Sequence, residues 1–382
     1  MKIKSSILSL AATAAFVSSA SAVTIDIVGS TAGRTAVYNQ VLAIITETSS
    51  AASGATLTGS NQAIIHGTFG AVPVIVRLNF TGSAAGVNQV ANRATIQVPF
   101  FAETVGLSGN TVSVPFSGGN IANSAAEIGY SDVFQTTTAF RVPALAVEDE
   151  IAVIPFQFFR HSDGNTSLTN VTSQLARAIY GGAGSVPLSL ATGNVADAAK
   201  TIYGTGRDAL SGTRITTFAE VATSQVAVSQ YQPITSATNG TGIVTALGAT
   251  STGGFTSGSF VANVLNSTFG DGTSGNADTI IGYLGASDWP AQVAGNAVAL
   301  NFNGVPYSVA NLQNGSYTFW GYLHQFNNGF AGFSAGDATA VGNFYSSLRD
   351  ALVANPGSGV QPISIMAVFR DGDGAPVGPN LE

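Results

Sequence analysis

A short β-rich run, a Gly/Ser/Thr turn and then apolar residues at helical spacing occur in that order three times in this chain. No other feature limits its fold as much. The first unit is 23–28 (VTIDIV), then Gly29-Ser30-Thr31, then Val37, Val41, Ile44 and Ile45. The second is 74–80 (VIVRLNF), then Thr81-Gly82-Ser83, with Val87 and Val90 on one face. The third is 203–214 (YGTGRDALSGTR), in which Ser211 can cap a helix carrying Ile215, Phe218 and Val221. No fixed repeat length links them, so they read as recurring units of an α/β fold rather than as a solenoid or propeller.

The remaining pattern fits that class. The continuous apolar run 151–159 (IAVIPFQFF) reads as a buried strand of a mainly parallel sheet. Residues 171–180 have helical spacing, and 279–284, 297–302 and 363–369 read as strands. A helix is expected over 342–353, and 235–278 reads as loops around one helix at 260–269. Between the second unit and Asp132, residues 92–126 hold two strand-like pieces, 94–101 and 111–116, separated by Gly/Asn turns. This is expected to be a β-hairpin insertion.

Composition narrows the function. Only 9% of the 382 residues are charged, against roughly 25% in ordinary soluble proteins. Residues 1–22 read as a secretory signal peptide: Lys2 and Lys4, an apolar stretch over 7–17, then Ala20-Ser21-Ala22. Its removal leaves 11 basic against 20 acidic residues, a net charge of −9. That balance argues against binding to nucleic acid or to anionic membrane. No later segment approaches the ~18 apolar residues of a membrane span, so no stable membrane insertion is expected. The expected location is periplasmic or secreted, with the chain soluble after cleavage. The chain has no cysteine, which excludes disulfides, thiolate metal sites and cysteine nucleophiles. His66, His161 and His324 are too dispersed in sequence for a metal-site reading, and Asp371-Gly372-Asp373-Gly374 reads as a C-terminal turn.

The chemistry lies in the three turns. The first turn of a helix has backbone N–H groups without intrahelical partners and carries the positive end of the macrodipole. Several such ends converging make an anion site. Arg207 adds a planar, bidentate donor matched to an oxyanion. Each turn taken alone reads as a plain helix cap, and it is the three together with an arginine that point to an anion site. Arg207 could instead pair with Asp208 at the surface, and Arg214, inside the helix, reads as structural.

On these residues the chain resembles the phosphate-binding periplasmic proteins of ABC transporters, which have the type 2 periplasmic-binding fold. Gly29-Ser30-Thr31 with Val37-Tyr38 is similar to the family's opening turn and helix. Residues 81–86 are similar to its Ser-Gly-Gly helix start, and Tyr130-Ser131-Asp132 to its Ala-Ser-Asp strand end. Leu175 to Gly181 follows the family's helix pattern, Arg207 with Ser211-Gly212-Thr213 its R-x-x-x-S-G-T loop, and Ile281-Gly282-Tyr283 its IGY strand. Asn303 to Pro306 and Gly315-Ser316-Tyr317 match its later turns. Asp208 and Leu210 depart from the family's arginine loop, in which the acid stands one place later and a glycine occupies the position of Leu210.

The resemblance implies two lobes, 23–155 with 318–382 and 156–317, each a mainly parallel sheet flanked by helices, joined by two crossings. It implies an inorganic phosphate or a similar tetrahedral oxyanion bound between the lobes by Ser30, Thr31, Ser83, Asp132, Arg207, Ser211, Gly212 and Thr213. The implied partner is an ABC transporter permease, with no catalytic residues, cofactor or metal. Asp132 would accept the proton of a protonated phosphate, where sulfate has none to offer; its other reading is a helix cap after a strand. Two other functions stay open: a secreted surface or matrix protein reusing the fold, and a secreted phosphatase.

Overall fold

The computed structural model describes residues 21–161, 163–236, 242–269, 278–289 and 297–380. Residues 1–20 of the leader read from the sequence lie outside them. The chain opens with β1 (Val23–Gly29) and α1 (Arg34–Ile44), the first strand–turn–helix unit. An antiparallel meander follows: β2 (Thr46–Ala52), β3 (Gln62–Phe69) and β4 (Val72–Asn79), from which the second turn leads into α2 (Ser83–Ala91). Next come β5 (Val98–Phe101), β6 (Ile121–Ser124), β7 (Ile128–Ser131) and the long β8 (Val147–Arg160). The middle of the chain supplies α3 (Ser173–Tyr180), β9 (Ser185–Pro187), β10 (Thr201–Gly204), α4 (Gly212–Glu220), α5 (Gly258–Leu265) and β11 (Thr279–Gly285). The chain then returns through β12 (Trp320–Asn327) and α6 (Ala335–Ala354).

The strand order is β9-β10-β11-β8-β12-β7-β1-β4-β3-β2. The sheet is mixed rather than mainly parallel. Parallel pairing joins β1 to β4 and β7, and β10 to β11, while β8 and β12 run antiparallel to each other and to their outer neighbours. The reason lies in the connections. β2, β3 and β4 run as a meander, β3 and β4 joined by the two-residue turn Gly70-Ala71, which forces antiparallel pairing, and β8 and β12 pass through the middle in opposite senses. β8 therefore owes its continuous apolar run to cover on both faces, not to parallel neighbours. Its residues 147–155 pair with β12 and its residues 156–160 with β11.

The insertion is a hairpin, but of β5 with β6. Residues 111–114 instead lie along the edge strand β2: Thr111 N donates to Ser50 O, and Val114 N donates to Ala52 O, both at 2.9 Å. They cover backbone groups that an open sheet edge would expose. The strand expected over 363–369 is a 3-10 turn, Ile363–Ile365, and a two-residue strand, Val368–Phe369, paired with Gly378–Pro379. Residues 297–302 divide into Val298–Ala299, against β8, and Asn301–Phe302, against Asn170–Val171. Leu300, between them, is buried.

Aromatic side chains fill the core where β8, β11 and α4 meet. Phe158 packs on Phe319 at 5.1 Å, and Tyr283 on Phe218 at 5.7 Å between ring centroids. Each such side chain contributes about 1.5–3 kcal/mol through burial. One charged pair lies inside the first half, where Asp26 of β1 faces Arg77 of β4 in register. Arg77 donates to it through Nε and Nη2, both at 2.6 Å. Removing one partner strands the other charge away from water. Asp26→Ala is expected to lower stability by about 3–5 kcal/mol, read as a lower urea midpoint at unchanged slope.

Candidate functional site

The turn after β1 is shaped by Gly29, whose φ of +130° suits glycine and where a Cβ would lie 2.0 Å from Tyr130 O. Ser30 N donates to that carbonyl at 2.9 Å, fixing the turn to the end of β7. Ser30 Oγ accepts from the N–H groups of Ala32 and Gly33, at 3.0 and 3.3 Å. It closes the turn rather than capping α1, whose N-cap is Gly33. In the second turn Gly82 N donates to Gly29 O at 2.9 Å, which ties the two turns together.

Ser83 is the first residue of α2, and it too is no cap. Its hydroxyl donates to Asp132 Oδ1 and accepts from Asp132 N. On the other side Thr213 Oγ1 donates to Asp132 Oδ2 at 3.1 Å. A Cβ on Gly212 would run into Asp132 Oδ1, so glycine lets the third turn approach the carboxylate. Ala84 N also reaches across to Leu210 O at 3.0 Å. The three turns thus meet around one carboxylate. Ser211 stands apart in role: its hydroxyl is the α4 cap, accepting from Arg214 N at 3.4 Å.

Arg207 is 1% exposed, so the surface pairing with Asp208 does not form. Nη1 donates to Thr31 Oγ1 at 3.0 Å, Nε to Phe255 O at 3.1 Å and Nη2 to Thr256 O at 2.9 Å. Its backbone is held as firmly. Arg207 N donates to Tyr283 Oη at 3.1 Å, and Arg207 O accepts from Gln230 Nε2 at 2.6 Å and Arg214 Nη1 at 3.3 Å. Arg214 is structural, as its position in the sequence indicates: it also donates to the carbonyls of Thr252 and Gln225.

Asp132 caps no helix, because the 3-10 turn that follows it is Gln135–Thr137 and its N-cap position is Phe134. Burial pushes its carboxyl up to about 6, against the pull of its own backbone N–H, the Arg207 charge and the hydroxyls of Thr213 and Ser30. Burial lowers the Arg207 pKa, opposed by the charges of Asp288, Asp208 and Asp132. Two of the charges gathered here were missed by the sequence reading. Arg34, the first residue of α1, is buried, donates to Asn61 Oδ1 at 2.6 Å and stands 3.7 Å from buried Asp288. Arg34 had one signal, a charge placed directly after the Ser30-Thr31 turn in a charge-poor chain. Asp288 had none.

No protein-family model matches the chain, and no curated protein matches it. Among solved structures it is similar to a protein of Clostridium perfringens assigned as a phosphate ABC transporter substrate-binding protein and solved with bound phosphate. That match has 16% identity and a TM-score of 0.53, over 89% of this chain and 99% of the other. The chain shares that protein's fold. Weaker likenesses are to an ABC-type phosphate transport receptor from Vibrio cholerae, with 14% identity, TM-score 0.45, and 87% and 98% of the two chains covered. PstS from Borrelia burgdorferi follows at 15% identity, TM-score 0.39, and 89% and 98% coverage. Among the described residues no helix is long and apolar enough to cross a membrane.

The electrostatics can be read directly in solution. A carboxyl-detected NMR titration of the ligand-free protein is expected to place the Asp132 midpoint near 6. Because the folded value exceeds that of a free aspartate, about 3.9, the group's ionisation destabilises the fold as pH rises from that value through about 6. Arg207→Gln should move the midpoint higher, since the guanidinium favours the ionised form. A midpoint near 4 in either protein would contradict the buried arrangement.

Proposed function

We propose that the chain is an exported solute-binding protein that holds phosphate, or a tetrahedral oxyanion of the same shape, between two lobes. The lobes are 23–155 with 318–382, and 156–317. The observation that carries this reading is the convergence of the three turns: Thr31 and Ser83 from the first lobe, and Arg207, Gly212 and Thr213 from the second, around buried Asp132. The pairing of β8, which passes from β12 to β11 after Pro155, supports the lobe boundary. The phosphate in the Clostridium perfringens protein supports the ligand class.

In this reading each group has one task. Arg207 presents a fixed guanidinium, pre-organised by the carbonyls of Phe255 and Thr256, so little side-chain freedom is lost on binding. The Thr31 hydroxyl and the helix-start N–H groups of Ser83, Gly212 and Thr213 donate to oxygens, and the Ser83 and Thr213 hydroxyls, each with a single proton held by Asp132, turn from that carboxylate to the anion on binding. Ser30 shapes its turn and its hydroxyl favours the ionised Asp132, while Ser211 holds the start of α4. Asp132 is the acceptor that singles out an anion bearing a proton; a sulfate oxygen against it would be a desolvated like-charge contact. Binding closes the lobes without covalent chemistry, and the loaded protein delivers its anion to an ABC transporter permease.

Calorimetric titration with phosphate, arsenate, sulfate and molybdate tests this reading. Phosphate is expected to bind and sulfate to bind far more weakly. Arg207→Ala should weaken phosphate binding by about 2–4 kcal/mol, the usual effect of removing one partner of a desolvated charge-assisted contact. Asp132→Asn keeps the shape and supplies an amide donor, so the phosphate-to-sulfate affinity ratio should fall at least about tenfold, or ~1.4 kcal/mol. A wild-type chain indifferent to all four anions would remove the proposal, and an unchanged ratio in Asp132→Asn would remove the role given to that carboxylate.

A further inference from the structure

Arg34 opens α1 just after the Ser30-Thr31 turn, and Asp288 ends the 3-10 turn Ala286–Asp288 that follows β11. They come from opposite halves of the chain and are 4% and 3% exposed. Asp288 Oδ1 lies 3.7 Å from Arg34 Nη2, a loose pair, while Asp288 Oδ2 and Arg34 Nε have no hydrogen-bond partner among the described residues. Gly258, which begins α5, lets the carboxylate in: a Cβ there would run into Asp288 Oδ2. The carbonyls that hold Arg207, those of Phe255 and Thr256, belong to the same short segment that leads into Gly258. One carboxylate therefore lies beside the segment that fixes Arg207 and beside the guanidinium of Arg34.

Two guanidinium groups buried this deeply need a counter-charge when no anion is bound. Asp288 supplies it to Arg34 at 3.7 Å and lies against Gly258, two residues beyond the Thr256 carbonyl that holds Arg207 Nη2, from where its charge favours the charged guanidinium of Arg207. The same negative charge opposes any oxyanion that arrives at Arg207, because both compete for one field in a poorly screened interior. We propose that Asp288 is the internal counter-ion of the oxyanion site, shared by Arg207 and Arg34. It keeps both cations placed before binding and sets the strength with which the anion is then held. Asp288 is an affinity-setting residue that touches no ligand, and Arg34 is a positively charged positioning residue for the same site. This inference rests on the oxyanion reading above.

The test compares the wild-type chain, Asp288→Asn, Arg34→Gln and the double variant, each titrated calorimetrically with inorganic phosphate at pH 7.5 and low salt, alongside their ligand-free melting temperatures. Asp288→Asn keeps the side-chain shape and removes the charge, so it should melt lower without ligand and yet bind phosphate at least about tenfold more tightly. Arg34→Gln should bind at least about tenfold more weakly, and the double variant, with the wild-type charge restored, should return to within about threefold. Opposite shifts from two variants that both lower the melting temperature cannot come from loosened packing. If Asp288→Asn binds phosphate no more tightly than the wild type, or if both single variants bind more weakly, the pair is a structural brace and the inference fails while the oxyanion reading stands. A wild-type chain that binds no phosphate, arsenate or sulfate overturns both.

Discussion

A carboxylate with no exposed surface has to be satisfied by donors brought to it, and that requirement at Asp132 organises the centre of this molecule. Ser83 comes from the start of α2 and Thr213 from the start of α4, so two helices begin where one acid sits. Thr216 Oγ1 adds a hydrogen bond to the Asp132 carbonyl at 3.2 Å, fixing the backbone as well. Glycine at 29, 82 and 212 is what allows the three chain segments to come this close. The proposed anion site follows from the same geometry: donors gathered to satisfy an acid are donors placed for an oxyanion.

Much of this was legible because its chemistry is local. A glycine followed by a hydroxyl at the end of an apolar strand is visible in a few residues, and so is an arginine four places before Ser211. What the sequence could not give was the use made of each hydroxyl. Ser30 and Ser83 look like caps and are not, whereas Ser211 reads as a cap and is one, accepting from Arg214 N. A cap and a cross-turn donor share one sequence signature, and only the packing of distant segments separates them. Asp132 entered through resemblance to a family, since a lone acid after a strand carries no pattern of its own.

The same limit explains Arg34 and Asp288. They are 254 positions apart and meet because the turn after β1 packs against the end of β11, where a Cβ on Gly285 would run into Ala32. The departures in the strands have a different origin. Residues 111–116 have strand composition and do form backbone hydrogen bonds, but to the exposed edge of β2 rather than within their own hairpin. Within 363–369 Met366 is buried while Ile365 and Phe369 are exposed, and Val368–Phe369 pair only with Gly378–Pro379, outside the large sheet. Alternation and composition show that a segment has a face to bury, and they do not name the surface that buries it.

The central claim is that these turns together hold a tetrahedral oxyanion, and arsenate makes that directly visible. Crystals grown with arsenate and measured above the arsenic absorption edge should show an anomalous peak within hydrogen-bonding distance of Arg207, Thr31 and Ser83 and beside Asp132. Absence of a peak there in crystals of protein shown by calorimetry to be saturated with arsenate, or a peak bound elsewhere on the molecule, would contradict the account.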